Sequence, residues 1–298
     1  MQHLPGGLFF DCEVLFLTNP LLSLAAFFAR STPASFKRTL YRLGPLTRWI
    51  RRSLNRAAPH GLSRIQVAAG GLAGAYLLLD LQQEKDYWLG TYETDLQIAM
   101  KEWVKPGRLA YDVGANIGYN TLLLARVVGE AAGVVAFEAL PANVERLRQN
   151  LALNREGARV QVVAAAVTDR SGEVQFLVGP SDDMGKVAGS AGRQAGYAQE
   201  MRVSAISLDD FVYGQGNPPP QVVKMDIEGG EVLALPGMRR ILREAHPTLL
   251  LELHGPESTR VAWNELTAAG YQLRRMAPGY PLIPALDELD WKAYLVAE

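Results

Sequence analysis

The chain has little of what would hold a small extracellular scaffold or a metal cluster together. Among its 298 residues there is one cysteine, Cys12, so no disulfide can form within it, and there are only four histidines. No Cys/His group has zinc-ligand spacing, and a reducing, cytoplasmic setting is the natural expectation. The formal charge is −1, which leaves no basic excess for nucleic acid, and no nucleic-acid partner is expected. Long uninterrupted apolar runs are also missing. The most apolar stretch, LFFDCEVLFLTNPLLSLAAFFA (residues 8–29), carries Asp11, Glu13 and the helix-interrupting Asn19-Pro20. Its uninterrupted part is shorter than the ~20 residues a span requires. No lysine or arginine precedes it, so the charged start of an export signal is absent. Two short buried helices are expected there.

What the chain does have is length and apolar content. With 48% hydrophobic and 20% charged residues, it suits one large α/β domain with a small appendage. Residues 30–56 hold eight basic residues (Arg30, Lys37, Arg38, Arg42, Arg48, Arg51, Arg52 and Arg56) and no acid. Interleaved apolar residues give a helix pair broken at Pro45, either packed on the main domain or in contact with an anionic membrane surface. Packing is the expectation. Ala57–Gly61 has linker composition, which puts a helical N-terminal extension at 1–60 and the main domain at 61–298.

From residue 64 the pattern becomes regular. Gly70-Gly71 between two β-leaning runs predicts a hairpin, and a helical pattern follows over 94–104. Strand runs at 109–114, 133–139, 159–167, 221–227 and 248–254 then alternate with helical patterns at 118–129, 142–153, 230–243 and 257–269. Such alternation predicts a doubly wound, mainly parallel sheet. Runs at 271–276 and 292–297 add an antiparallel pair at its edge, giving seven strands with the last antiparallel. The Gly/Ser/Ala-rich stretch 179–200 reads as a mobile loop.

Ligands of such sheets bind beyond the carboxyl ends of the strands, where strand order reverses. That point is YDVGANIGYNTLLLA (111–125), where an apolar run ends in an acid, a glycine-spaced turn follows and a helix begins. Gly114 and Gly118 permit a sharp turn and close approach to a ligand. The pattern lacks the middle glycine of the dinucleotide fingerprint, and Asp112 ahead of the turn would repel a pyrophosphate. A cationic, phosphate-free adenosine compound fits better, with Glu138 at the next strand end placed for ribose hydroxyls.

Further on, Lys224, Asp226 and Glu228 alternate onto one face at the end of the fourth parallel strand, with Glu252 and His254 ending the fifth. Asp226 would point towards a reacting group. His254 is the best base by its ordinary pKa, Asp226 is the alternative, and Lys224 could fix the charge of Asp226 or pair with Glu228. Asp226 and Glu252 could share a divalent metal, although no dedicated metal motif supports one.

Several motifs occur together in order: LGTYE (89–93), DVGANIGYNTL (112–122), AFEALPANVERLRQN (136–150), VSAISLDDF (203–211), VKMDIEGGE (223–231) and LELHG (251–255). In these the chain resembles the FkbM-type methyltransferases, over about residues 64–275. The resemblance implies a class I, Rossmann-like methyltransferase fold and S-adenosylmethionine as cofactor. It also implies a small-molecule or sugar acceptor, most often methylated at oxygen. By resemblance Asp112, Gly114, Ala115, Asn116 and Gly118 hold the methionine part. Glu138 takes the ribose, Ala139, Asn143 and Ala166 lie near the adenine, and Glu93 faces the methionine end. Ala139 departs from the family, which usually has proline there. Two rival readings are a nicotinamide-dependent oxidoreductase and a non-catalytic surface-binding protein.

Overall fold

The computed structural model describes residues 19–32, 52–179, 185–193, 195–290 and 292–298. The first of the two helices expected over 8–29 lies outside the described residues, as does most of the pair broken at Pro45, whose described end is helical at 52–57. The described chain forms two compact units that divide between Thr94 and Asp95.

In the first unit, helix α1 (Pro20–Ser31) starts where Asn19 stops the chain upstream. The Asn19 side chain accepts the Leu21 N–H at 3.1 Å, and Pro20 costs nothing at a first helical position. The helix is not buried all round, as had been expected. Leu22, Ala26 and Ala29 are covered, but Leu24 is 63% and Phe27 66% exposed. The small residues lie on the inner face, so the bulky ones are left outside. Arg30, Arg52 and Arg56 are exposed. The expected hairpin is present: β1 (Leu62–Gln66) pairs antiparallel with β2 (Tyr76–Asp80), and Arg64 stacks on the Tyr76 ring. Ile65, Leu77, Leu79 and Trp88 form its core. Gln82 anchors the preceding segment by donating to the carbonyls of Asn55 and Ala58, both at 2.9 Å.

The second unit carries the sheet. Its strands are β3 (Ala110–Val113), β4 (Val134–Glu138), β5 (Val160–Ala164), β10 (Val222–Met225), β11 (Thr248–His254), β12 (Leu273–Arg275) and β13 (Lys292–Ala297). Their order is β12-β13-β11-β10-β3-β4-β5. The five strands β3, β4, β5, β10 and β11 run parallel, and β13 is antiparallel to both neighbours. This is the doubly wound seven-stranded sheet the sequence implies, with the antiparallel pair β12–β13 closing one edge and β13 next to β11. The all-buried strands β3, β4 and β10 suit a sheet covered on both faces. Tyr111, Phe137 and Phe211 meet in one aromatic cluster, with ring centroids 5.1–5.8 Å apart.

Two readings are corrected. The single run 159–167 breaks at Ala165, and β6 (Ala166–Val167) leaves the main sheet to pair with β9 (Gln199–Ile206). With β7 (Gly172–Val178) and β8 (Gly185–Val187) they form a second, four-stranded sheet in the order β6-β9-β7-β8. Part of the expected loop is therefore strand. The helical pattern over 230–243 is also interrupted: α-helix at Glu231–Ala234, a 3₁₀ turn at Pro236–Met238, and α-helix again at Arg239–Glu244. Proline cannot continue the ladder, which accounts for the break at 236.

Candidate active site

The switch point lies where β3 and β10 leave the sheet. Parallel register places Lys224 beside Asp112, and their charged groups meet at 3.2 Å, both almost wholly buried. Thr121 donates to the other Asp112 oxygen at 2.6 Å, and the Lys224 ammonium also donates to the Gly114 carbonyl at 2.9 Å. Asp112 is thus an internal counter-ion rather than a free anion in the cleft. The repulsion expected between Asp112 and a pyrophosphate is offset by Lys224 and does not discriminate among ligands.

The turn after β3 is held from below. Gly114 and Ala115 donate to the Phe137 carbonyl, each at 3.0 Å. Gly114 has φ +81°, and a Cβ there would overlap the carbonyl of Asp226. Gly118 has φ +93°, and a Cβ would press on Leu147. Close approach is what these glycines allow, but the approaching groups are protein. Asn116 takes a left-handed φ of 48° without being glycine. Its N–H donates to Glu138 at 2.9 Å, while its own side-chain oxygen is buried with no hydrogen-bond partner.

Glu138 ends β4, buried, and its second oxygen accepts the Leu140 N–H at 2.8 Å. Burial raises its pKa, against the pull of the Leu140, Asn116 and Ala139 N–H groups and the Lys224 charge. One lone pair on its oxygens remains for a hydroxyl donor. Ala166 is buried with Leu140, Phe176, Val187 and Val203, and Ala139 packs against this apolar group. Asn143 is buried in the first turn of the helix Pro141–Leu153. The loop, Glu138, Ala139, Asn143 and Ala166 therefore share one unit. Glu93 belongs to the other unit and has a left-handed φ of 43°.

Beyond β10 the chain turns sharply. Glu228 (φ 54°) and Gly229 (φ 98°) both adopt left-handed backbone, which brings three acids around His254 at the end of β11. Its Nε2 lies 3.8 Å from Asp226, 3.8 Å from Glu228 and 3.5 Å from Glu252. Its Nδ1 lies 3.3 Å from Glu231. Burial disfavours the imidazolium, but hydrogen bonds to Glu231 and Glu252 and the charges of Glu231 and Asp226 outweigh it. The pKa is pushed up to about 11. This shift favours the imidazolium at neutral pH. Glu228 is raised, by burial first and by Glu252 and Glu231, against the pull of His254. Glu252 is also buried, yet His254, Tyr294 and Lys292 bring it below its ordinary value. Asp226 and Glu252 both face the His254 ring.

The second sheet closes over this cluster. The Ala191 N–H donates to the Gly229 carbonyl at 3.0 Å, and Cβ atoms on Gly192 or Gly229 would crowd the facing backbone. Lys186, fully buried, donates to the carbonyls of Ser190 and Ala191. Sequence reasoning gave no role to Lys186 or Glu231. Glu231 stood in the motif VKMDIEGGE, but only its complete burial sets it apart from a surface acid opening a helix.

Comparison with known proteins agrees with this architecture. Residues 112–273 match the model of the methyltransferase FkbM domain. Hexuronic acid methyltransferase AglP of Haloferax volcanii is 28% identical over 162 residues, covering 54% of this chain and 62% of that protein. The chain thus matches less than two thirds of that relative. The 31-O-demethyl-FK506 methyltransferase FkbM of Streptomyces tacrolimicus is 25% identical over 214 residues, covering 58% of this chain and 81% of that protein. Among solved structures, methyltransferase FkbM from Methylobacillus flagellatus KT aligns with a TM-score of 0.43 at 22% identity. It covers 64% of this chain and 43% of that one.

Proposed function

We propose that this chain, which belongs to the FkbM methyltransferase family, transfers a methyl group from S-adenosylmethionine to a hydroxyl oxygen of a small molecule or sugar. One observation carries the reading: the loop Gly114–Gly118 packs directly on the backbone of Asp226, which opens the acidic cluster around His254. A cofactor loop and a proton acceptor in contact are what methyl transfer to a hydroxyl requires. The activities for which the two relatives are named, on a hexuronic acid and on a demethylated FK506, support an oxygen-bearing acceptor.

The residues fit the cofactor. The orphaned Asn116 oxygen is an acceptor waiting for a donor such as an ammonium group. Glu138 keeps a lone pair for a ribose hydroxyl, and Ala139, Asn143 and Ala166 offer a largely apolar border for adenine. Gly114, Ala115 and Gly118 shape the turn around the methionine part, and Asp112 supports it from beneath through Lys224. When bound, S-adenosylmethionine supplies an electrophilic methyl carbon. The chain supplies alignment, worth up to ~7–11 kcal/mol where it is good. It also supplies a base, worth ~10²–10⁴-fold. Asp226 takes the hydroxyl proton in this reading. His254, cationic beside it, keeps the carboxylates from repelling one another, and the catalytic part first given to Lys224 becomes structural.

Titration calorimetry with S-adenosylmethionine and its demethylated product tests the cofactor. A screen of hydroxylated small molecules and uronic-acid sugars with labelled methyl donor tests the acceptor. Heat with NAD and none with either adenosine compound would overturn the reading.

A further inference from the structure

Glu231 is the one acid of the cluster that touches no solvent at all. A buried carboxylate is costly unless its lone pairs are filled, and here they are. One oxygen accepts the Ser258 hydroxyl at 2.9 Å. The other accepts the N–H groups of Ile227 (3.2 Å) and Gly229 (3.4 Å) and faces Nδ1 of His254 at 3.3 Å. A carboxylate can only accept, so Nδ1 must carry hydrogen. That leaves Nε2 as the nitrogen turned towards Asp226, Glu228 and Glu252. The groups behind these acids are Lys292, 3.6 Å from Glu252, Tyr294 beside Glu252, and Lys186 and Tyr197 beside Glu228.

We propose that Glu231 is a positioning residue: its carboxylate fixes the Nδ1–H form and the charge of His254, so that only the Nε2 side exchanges protons with the site where the acceptor hydroxyl binds. The functional half of this inference rests on the methyltransferase reading above; the half concerning His254 does not. Both the turn at Glu228-Gly229 and the imidazole hang on the same carboxylate, so the position of Asp226 and the protonation of His254 are set together. A neutral isostere keeps the shape and removes the charge that holds the proton.

The test is ¹H–¹⁵N NMR of the imidazoles in the full chain, with wild type, Glu231→Gln, Glu231→Asp and Ser258→Ala. Wild type is expected to show a hydrogen-bonded Nδ1 proton and a cationic ring through neutral pH. Glu231→Gln should lower the His254 pKa by about 1–3 units, the effect of removing one nearby opposite charge. Ser258→Ala should shift it in the same sense by less, and Glu231→Asp should restore part of it. Once an acceptor is known, Glu231→Gln should lower kcat and move its pH profile with little change in the KM for methyl donor. A His254 titration that is the same in Glu231→Gln as in wild type overturns the proposal. If Glu231→Gln does not fold, an unmoved titration in Ser258→Ala overturns it equally. A shifted titration in a chain that binds no adenosine compound upholds Glu231 as the anchor of His254 and refutes the methyltransferase reading alone.

Discussion

Replacing Gly114 by alanine probes the contact on which the site is built. Two costs add. A residue with a Cβ pays about 1–2 kcal/mol for a left-handed backbone, and φ here is +81°. The new methyl would also overlap the Asp226 carbonyl and lie 2.9 Å from the Ile227 side chain. Forcing an extra carbon into packed surroundings costs about 1–3 kcal/mol more. The expected loss is therefore about 2–5 kcal/mol. Gly107 is the control: its φ is +80°, yet nothing lies within 4 Å of a Cβ. Gly107→Ala should lose only the first part, about 1–2 kcal/mol. Urea unfolding followed by circular dichroism reads both as shifts in midpoint at constant slope. Equal shifts for the two variants would show that Gly114 is needed for its backbone angle alone and not for its approach to Asp226.

Three further outcomes follow from the same geometry. Lys224→Met leaves Asp112 buried and unpaired and should cost about 3–5 kcal/mol in thermal unfolding, with part regained on adding Asp112→Asn; a loss below 1 kcal/mol would mean the pair is not dry. His254 binds its proton more tightly folded (about 11) than its ordinary value of 6.5, so its contribution to stability is whole below pH 6.5 and falls as pH rises towards 11; urea midpoints between pH 7 and 10 should decline more steeply in wild type than in His254→Gln. Asp226→Asn should lower turnover by about 10²–10⁴-fold while the heat of cofactor binding and the melting temperature stay close to wild type, and wild-type turnover would remove Asp226 from the chemistry.

The main sheet was legible because its strands are buried on both faces and carry unbroken apolar runs such as VVKM and LLLEL, with each helix between them announced by its period. The second sheet was not. Only Phe176 of Gly172–Val178 is buried, and its long partner β9 lies beyond β8, so neither period nor burial marked it. The run RVQVVAAAV hid a change of sheet, because both of its halves are apolar. The site residues were found in kind but not in role. Spacing brought Asp112, Lys224, Asp226 and His254 to the right strand ends. Whether a charge faces a ligand or another charge depends on register, and the β3–β10 register joined Asp112 to Lys224. His254 also meets Glu231, which a strand pattern cannot reveal because it follows two residues in left-handed backbone, Glu228 and Gly229.

The second sheet hangs between β5 and β10 as an excursion from the main fold, and its segment at Ala191–Gly192 lies on the turn that carries Glu228 and Gly229. The wall over the acids and the floor beneath the cofactor loop are thus separate pieces of chain. Under the proposed function, changes at Ala191–Gly192 would reshape the wall over the acids without touching the turn Gly114–Gly118.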